Sequence, residues 1–199
     1  MARSPFRIED AHRLIGREVG VSKWFTVGQD RIDRFSDATD DHYWLHVGGA
    51  RASAGPFGRP IAHGFLTLSL LVPAMYDARC EPEDHLIGFN YGLDKVRFLL
   101  PVKAGDRVRT RFVLDDVTNK GEGRYLLRMT ATMELEGSDK PALVAEWLNM
   151  YVVAAGTSPP SGGRDDSRAE RLGAALRENL KRRRAQARAR ARTRKSGRR

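Results

Sequence analysis

The chain changes its hydrophobic rhythm near its middle, from helical spacings and short alternations to long alternating runs. Residues 17–27, REVGVSKWFTV, alternate enough to predict a strand. The QDRIDRFSDAT that follows places Ile32 and Phe35 three apart, the spacing of a short amphipathic helix. Residues 40–60 are rich in glycine and polar side chains and predict a long loop, with a helical turn at VGGARASAG. Loops of that length are uncommon in compact domains and often functional. His63 to Arg79 is apolar almost all round, which predicts a buried helix. Pro73 lies inside that run, so a kink or an early end near Leu70–Val72 is expected.

From Ile87 onward the pattern is that of strands. FNYGLDKVRFLLPV alternates around Val96 and Phe98, and GDRVRTRFVLDDVT alternates Val108, Thr110, Phe112 and Leu114 with bases between. NKGEGR, Asn119 to Arg124, has the composition of a hairpin turn; RYLLRMTATMEL and PALVAEWLNMYVVAA complete the run. One strand, one buried helix and four long antiparallel strands make an α+β domain in which the sheet wraps the helix. A helix apolar on every side needs more cover than one sheet face, and a second subunit is the economical source.

Charge divides the chain. The formal net charge is +10 over 199 residues, yet residues 157–199 carry 15 of the 35 Lys and Arg and 4 of the 25 Asp and Glu. That leaves 20 bases against 21 acids in residues 1–156, so the domain expected there is nearly neutral. The remainder, 157–199, opens with TSPPSGG and runs into RRRAQARARARTRKSGRR, which predicts a disordered Arg-rich tail making weak, sequence-independent polyanion contacts. A single cysteine, Cys80, excludes an intramolecular disulfide and fits a reducing compartment. MARSPFRIEDAHRL lacks the apolar run of a signal peptide, and Phe65–Tyr76 is too short to span a bilayer, so a cytoplasmic location is expected.

Proton-transfer groups concentrate just before the most apolar run. ATDDHYWLH holds Asp41 and His46, and His63-Gly64 opens the predicted helix. A carboxylate and an imidazole around one water exchange protons with it and with a substrate carbon. Backbone N–H groups at a helix start polarise a carbonyl oxygen, and glycine at Gly64 lets a substrate approach them closely. Such a set suits addition of water across an α,β-unsaturated carbonyl. Residue by residue, blander readings compete: His63 as a helix cap, Tyr43 and Trp44 as packing at the loop base, and His42 with His46 as metal ligands. The metal reading needs further ligands and a helix through a Gly-rich region, and no metal is expected.

Taken together these segments, ATDDHYWLHV, GPFGRPIAHGFLTLSL, NYGLDKVRF and PVKAGDRVR, resemble the MaoC-like dehydratases, in the branch of nodulation-protein-N-like and actinobacterial enoyl-CoA hydratases. The likeness covers roughly residues 15–153. It implies a hot-dog fold, usually homodimeric, in which an antiparallel sheet wraps a long central helix. It also implies (R)-specific, reversible hydration of trans-2-enoyl-CoA to (R)-3-hydroxyacyl-CoA, with no cofactor beyond the coenzyme A of the substrate. Carried over by position, Asp41 and His46 are the acid–base pair and Gly64 supplies the oxyanion N–H; His63, Tyr43, Arg59 and Arg97 are candidate substrate contacts. Two positions depart from the family pattern: Asp40 stands where glycine is usual, and Tyr43 replaces an amide. A thioester-binding module without turnover, or one subunit of a hetero-oligomeric dehydratase, is the alternative the resemblance leaves.

Overall fold

The structure, a computed structural model, describes residues 6–154; the Arg-rich segment 157–199 and its predicted disorder lie outside them. Six strands form one antiparallel sheet: β1 (Arg17–Val21), β2 (Phe25–Thr26), β3 (His85–Phe98), β4 (Arg107–Gly121), β5 (Arg124–Leu135) and β6 (Leu143–Val153). Their order is β1-β4-β5-β6-β3, with β2 also paired to β4. Between β2 and β3 run α1 (Gln29–Thr39), the one-turn α2 (Ala50–Ser53), α3 (Gly64–Ser69) and α4 (Leu71–Ala78), and a 3₁₀ turn at Ile8–Leu14 precedes β1.

The alternation read along β4 is the one that packs. Val108, Thr110, Phe112 and Leu114 are all buried. A register shift between Leu114 and Asp116 then moves the inward position to Val117, because one extra residue in a strand swaps its faces. On β5 the buried set is Tyr125, Leu127, Met129, Ala131 and Met133. The hairpin between β4 and β5 turns on Glu122 and Gly123, both at positive φ, the geometry of a turn whose twist matches the flanking strands.

One expectation is corrected. The single strand over 17–27 is two: the Ser22 amide still donates to Thr110 O at 2.9 Å, but the Thr110 amide donates to the Ser22 hydroxyl at 3.0 Å and the Lys23 amide to Asp77 at 2.6 Å, which interrupts the regular ladder. The helical run over 63–79 breaks where its proline led one to expect, into α3 and α4, which meet at Leu70. Pro73 stands in the first turn of α4, where a missing N–H costs no intrahelical bond.

Nor is that helix pair buried all round. Leu66, Leu70, Leu71, Ala74 and Met75 join the inward residues of the sheet in one core, while Phe65 is 72 % and Tyr76 60 % exposed. β3 has the same character. It is an edge strand, paired with β6 alone among the described residues, and Leu86, Ile87, Phe89, Tyr91, Leu93 and Phe98 are all exposed.

Gly20 marks the closest approach of sheet and helix. A Cβ there would sit 2.8 Å from the Ala78 carbonyl oxygen and 3.0 Å from the Ala78 Cβ. Backbone at that distance cannot swing aside as a side-chain tip can. Gly20→Ala is therefore expected to destabilise the domain by about 1–3 kcal/mol, read as a lower midpoint in chemical denaturation.

Candidate active site

The site grows from the end of α1. Asp40 ends that helix in the left-handed conformation, φ 56°. Glycine adopts that geometry without strain and Asp tolerates it, which gives the departure at Asp40 a backbone reason; its side chain is exposed. The reversal turns the chain straight into Asp41, whose side chain is 53 % exposed and whose Oδ1 accepts the Tyr43 amide at 3.4 Å. A turn then closes with the His46 amide donating to Tyr43 O at 2.9 Å.

His46 is held at three points. Its Nδ1 donates to the Ile61 carbonyl oxygen at 2.7 Å, its own carbonyl accepts from Gln29 Nε2 at 2.9 Å, and its ring lies on that of His63, centroids 3.8 Å apart and planes at 29°. The first contact decides the tautomer. A carbonyl oxygen only accepts, so Nδ1 carries the proton and the neutral ring keeps its lone pair on Nε2. Ile61 is itself anchored: its amide donates to Leu45 O at 2.9 Å, and the next amide, Ala62, to Val102 O at 2.7 Å. The His46 imidazole is thus referenced to main chain rather than to mobile side chains.

His63 lies beneath, 3 % exposed, at the N-cap of α3. Its Nε2 donates to the Asp41 carbonyl oxygen at 3.0 Å, with the buried Ser36 hydroxyl 3.3 Å away, and Phe35 closes the wall at 5.1 Å between ring centroids. It makes no side-chain capping bond, which corrects the cap reading. Burial also leaves almost no ring surface for a substrate to touch, so its expected place as a substrate contact becomes one beneath His46 and Asp41. Gly64, the first residue of α3, has an N–H that the helix itself cannot use. The Phe98 ring crosses its α-carbon, 3.3 Å from where a Cβ would stand.

The outer candidates are placed differently. Tyr43 is 54 % exposed with its ring edge-on to His46, centroids 6.2 Å apart. Arg59, on the surface, donates to Ala104 O and to Asp106 Oδ1, both at 2.8 Å, so it ties the loop before α3 to the β3–β4 connection. Arg97 donates to Val96 O at 2.8 Å and is otherwise exposed. Trp44 packs under the guanidinium of Arg51, 4.5 Å from the ring centre.

Asp41, His46 and His63 each bring one ligand-type atom within 4.8 Å of the others, the one such group among the described residues. Its geometry suits proton transfer better than a metal. Imidazole lone pairs lie in the ring plane, so two stacked rings aim theirs side by side rather than at one point. Two of the four ring nitrogens are also taken by the carbonyls of Ile61 and Asp41. His42, weighed at first as a ligand beside His46, instead faces Asp37 at 3.9 Å on the exposed side. Sequence reasoning missed Gln29 and Ser36, whose helical spacing gave no sign that their side chains turn toward the loop.

Cys80 plays no part here. It is fully buried, and burial pushes its thiol far above the ordinary range. Because the thiolate is the reactive form, native protein at pH 8 is expected to react with a disulfide reagent about a hundredfold or more slowly than unfolded protein.

Comparison with known proteins shows the family and the fold. The sequence model of the MaoC like domain matches residues 10–135. Nodulation protein N of Rhizobium leguminosarum bv. viciae is 45 % identical over 144 residues, 72 % of this chain and 89 % of that protein. A protein of Mycobacterium tuberculosis named 3-hydroxyacyl-thioester dehydratase Z is 45 % identical over 145 residues, 73 % of this chain and 95 % of its own. Among solved structures, a monoamine oxidase regulatory protein from Archaeoglobus fulgius superposes with a TM-score of 0.63 at 24 % identity, over 77 % of this chain and 98 % of that one. An (R)-hydratase from A. caviae involved in PHA biosynthesis gives 0.56 at 21 %, over 68 % and 94 %. The fold is the hot-dog arrangement of sheet around helix, and the chain belongs to the MaoC-like dehydratases, enzymes of the hydratase–dehydratase class.

Proposed function

We propose that the chain catalyses the reversible (R)-specific hydration of trans-2-enoyl-CoA thioesters at Asp41 and His46. The observation that carries this is the tautomer of His46: Nδ1 donates to Ile61 O, which leaves the Nε2 lone pair for proton transfer, and a ring nitrogen of His46 lies within 4.8 Å of an Asp41 carboxylate oxygen. A water held by the two loses one proton to the pair as its oxygen bonds to the substrate's β-carbon. A proton from the pair reaches the α-carbon, so one water is added and the pair ends as it began. Negative charge gathering on the thioester oxygen meets the N–H of Gly64. Phe98, against Gly64, shapes the approach. The 3-hydroxyacyl-thioester named for the mycobacterial relative is the product class this reaction gives.

We further propose that the working form is a homodimer joined along β3. Fourteen residues of unpaired edge with Phe89 and Tyr91 exposed would otherwise invite indiscriminate pairing. A two-fold antiparallel pairing of β3 with its copy closes both edges at once. No described helix is long and apolar enough to cross a membrane.

Activity is read as loss of enone absorbance with crotonyl-CoA and a medium-chain trans-2-enoyl-CoA. Asp41→Asn and His46→Gln, each still folded, should lose about a hundredfold or more of the wild-type rate, the scale of general acid–base catalysis, and the wild-type product should be (R). Wild type that turns over no chain length would move the function to thioester binding without chemistry. Sedimentation equilibrium tests the second proposal. Two protomers are expected for wild type and a monomer for Tyr91→Asp, whereas a monomeric wild type at micromolar concentration would overturn it.

A further inference from the structure

We infer that His63 is a positioning residue that locks Asp41 and His46 to each other, using its Nε2–H on one and its ring face on the other. The inference rests on the pair being the acid–base centre proposed above. Three observations carry it. His63 Nε2 donates to the main-chain oxygen of Asp41 at 3.0 Å, which fixes the base of the carboxylate's short side chain. The His63 ring lies 3.8 Å from that of His46, which bars the imidazole from tilting about its bond to Ile61 O. Burial completes the arrangement: His63 is 3 % exposed and Ser36, whose hydroxyl stands 3.3 Å from the same Nε2, is fully buried. A ring so enclosed cannot rotate away without breaking the wall made by Phe35.

The remaining nitrogen, Nδ1, is buried without a hydrogen-bond partner among the described residues. A buried polar atom left unmatched costs stability, so packing alone would favour an apolar side chain here. An imidazole makes sense where its other nitrogen and its flat face are both used. Its Nε2 stands 3.9 Å from Asp41 Oδ2, beyond hydrogen-bond reach, and the ring is buried, so His63 acts through Asp41 and His46 rather than on the substrate.

Two replacements in the full chain separate these uses. His63→Phe keeps a flat ring and loses the donor; His63→Gln keeps an N–H at the Nε2 position and loses the ring. With crotonyl-CoA, His63→Phe should lower kcat about tenfold or more with KM within about twofold, since orientation and not affinity is lost. His63→Gln should recover at least threefold of that loss. Unchanged kcat in both variants, or a KM increase with kcat intact, would overturn the inference, the latter by making His63 a substrate contact. A second readout needs no turnover: solvent exchange of the His46 Nδ1 proton, followed by ¹⁵N-edited NMR. Loss of the ring face in His63→Gln should speed that exchange about tenfold or more in protein that melts as wild type does. An unchanged exchange rate would refute the seating of His46. Inactive wild type would count against the proposed reaction, and the exchange measurement would still decide the role of His63.

Discussion

Burial of one face of a broken helix inside a curled sheet is the constraint from which the rest follows. Leu66, Leu70, Leu71, Ala74 and Met75 can leave water only if inward side chains of β4, β5 and β6 meet them, and these form a single core. Fit at this contact is tight at identifiable points: Gly20 under Ala78, and the Tyr151 hydroxyl 3.7 Å from the Met75 sulfur. Because α3 is pinned this way, its first residues come to rest at a fixed place, and His63 and Gly64 with them.

The same packing explains why the site is built on carbonyls. Ile61 and Ala62 run as a short extended segment against Val102 and Lys103, so the oxygen that sets the His46 tautomer is held by strand-like bonds. The other fixed oxygen, that of Asp41, is delivered by the left-handed turn at Asp40. A loop of some twenty residues thereby acquires rigid reference points at both ends, although the loop itself has little regular structure. Gln29 adds a third, linking the start of α1 to the His46 carbonyl and to Asp33 at 2.7 Å.

What the core does not consume is as informative as what it does. The helix pair leaves Phe65 and Tyr76 in water, and the edge strand leaves a run of aromatic and aliphatic side chains beside them in character. A groove of about 520 Å³ lined by Phe35 and Leu66, with Arg31 and Arg34 also on it, shares a wall with His63 but includes neither Asp41 nor His46. The Asp41 carboxylate is 53 % exposed, so in a single chain the proposed acid–base pair stands open to water. Water exclusion, which strengthens electrostatic stabilisation of a developing oxyanion, has to come from substrate or from a second chain.

Much was legible in the residues themselves because it depended on local periodicity. The alternation over 108–114, the hairpin at 119–124, the amphipathic helix over 29–39 and the separation of charge between 1–156 and 157–199 are all properties of neighbours along the chain. Asp41, His46 and Gly64 were marked by residue type and by resemblance. The tertiary structure alone decided which groups face one another. It split the strand at Ser22, engaged Arg59 with Asp106, and sank His63 beneath His46. It also brought in Ser36 and Gln29, which nothing in their spacing had singled out. The physical reason is the same in each case: periodicity reports which face of an element is apolar, whereas a hydrogen bond between residues 15 to 90 positions apart depends on how those elements pack.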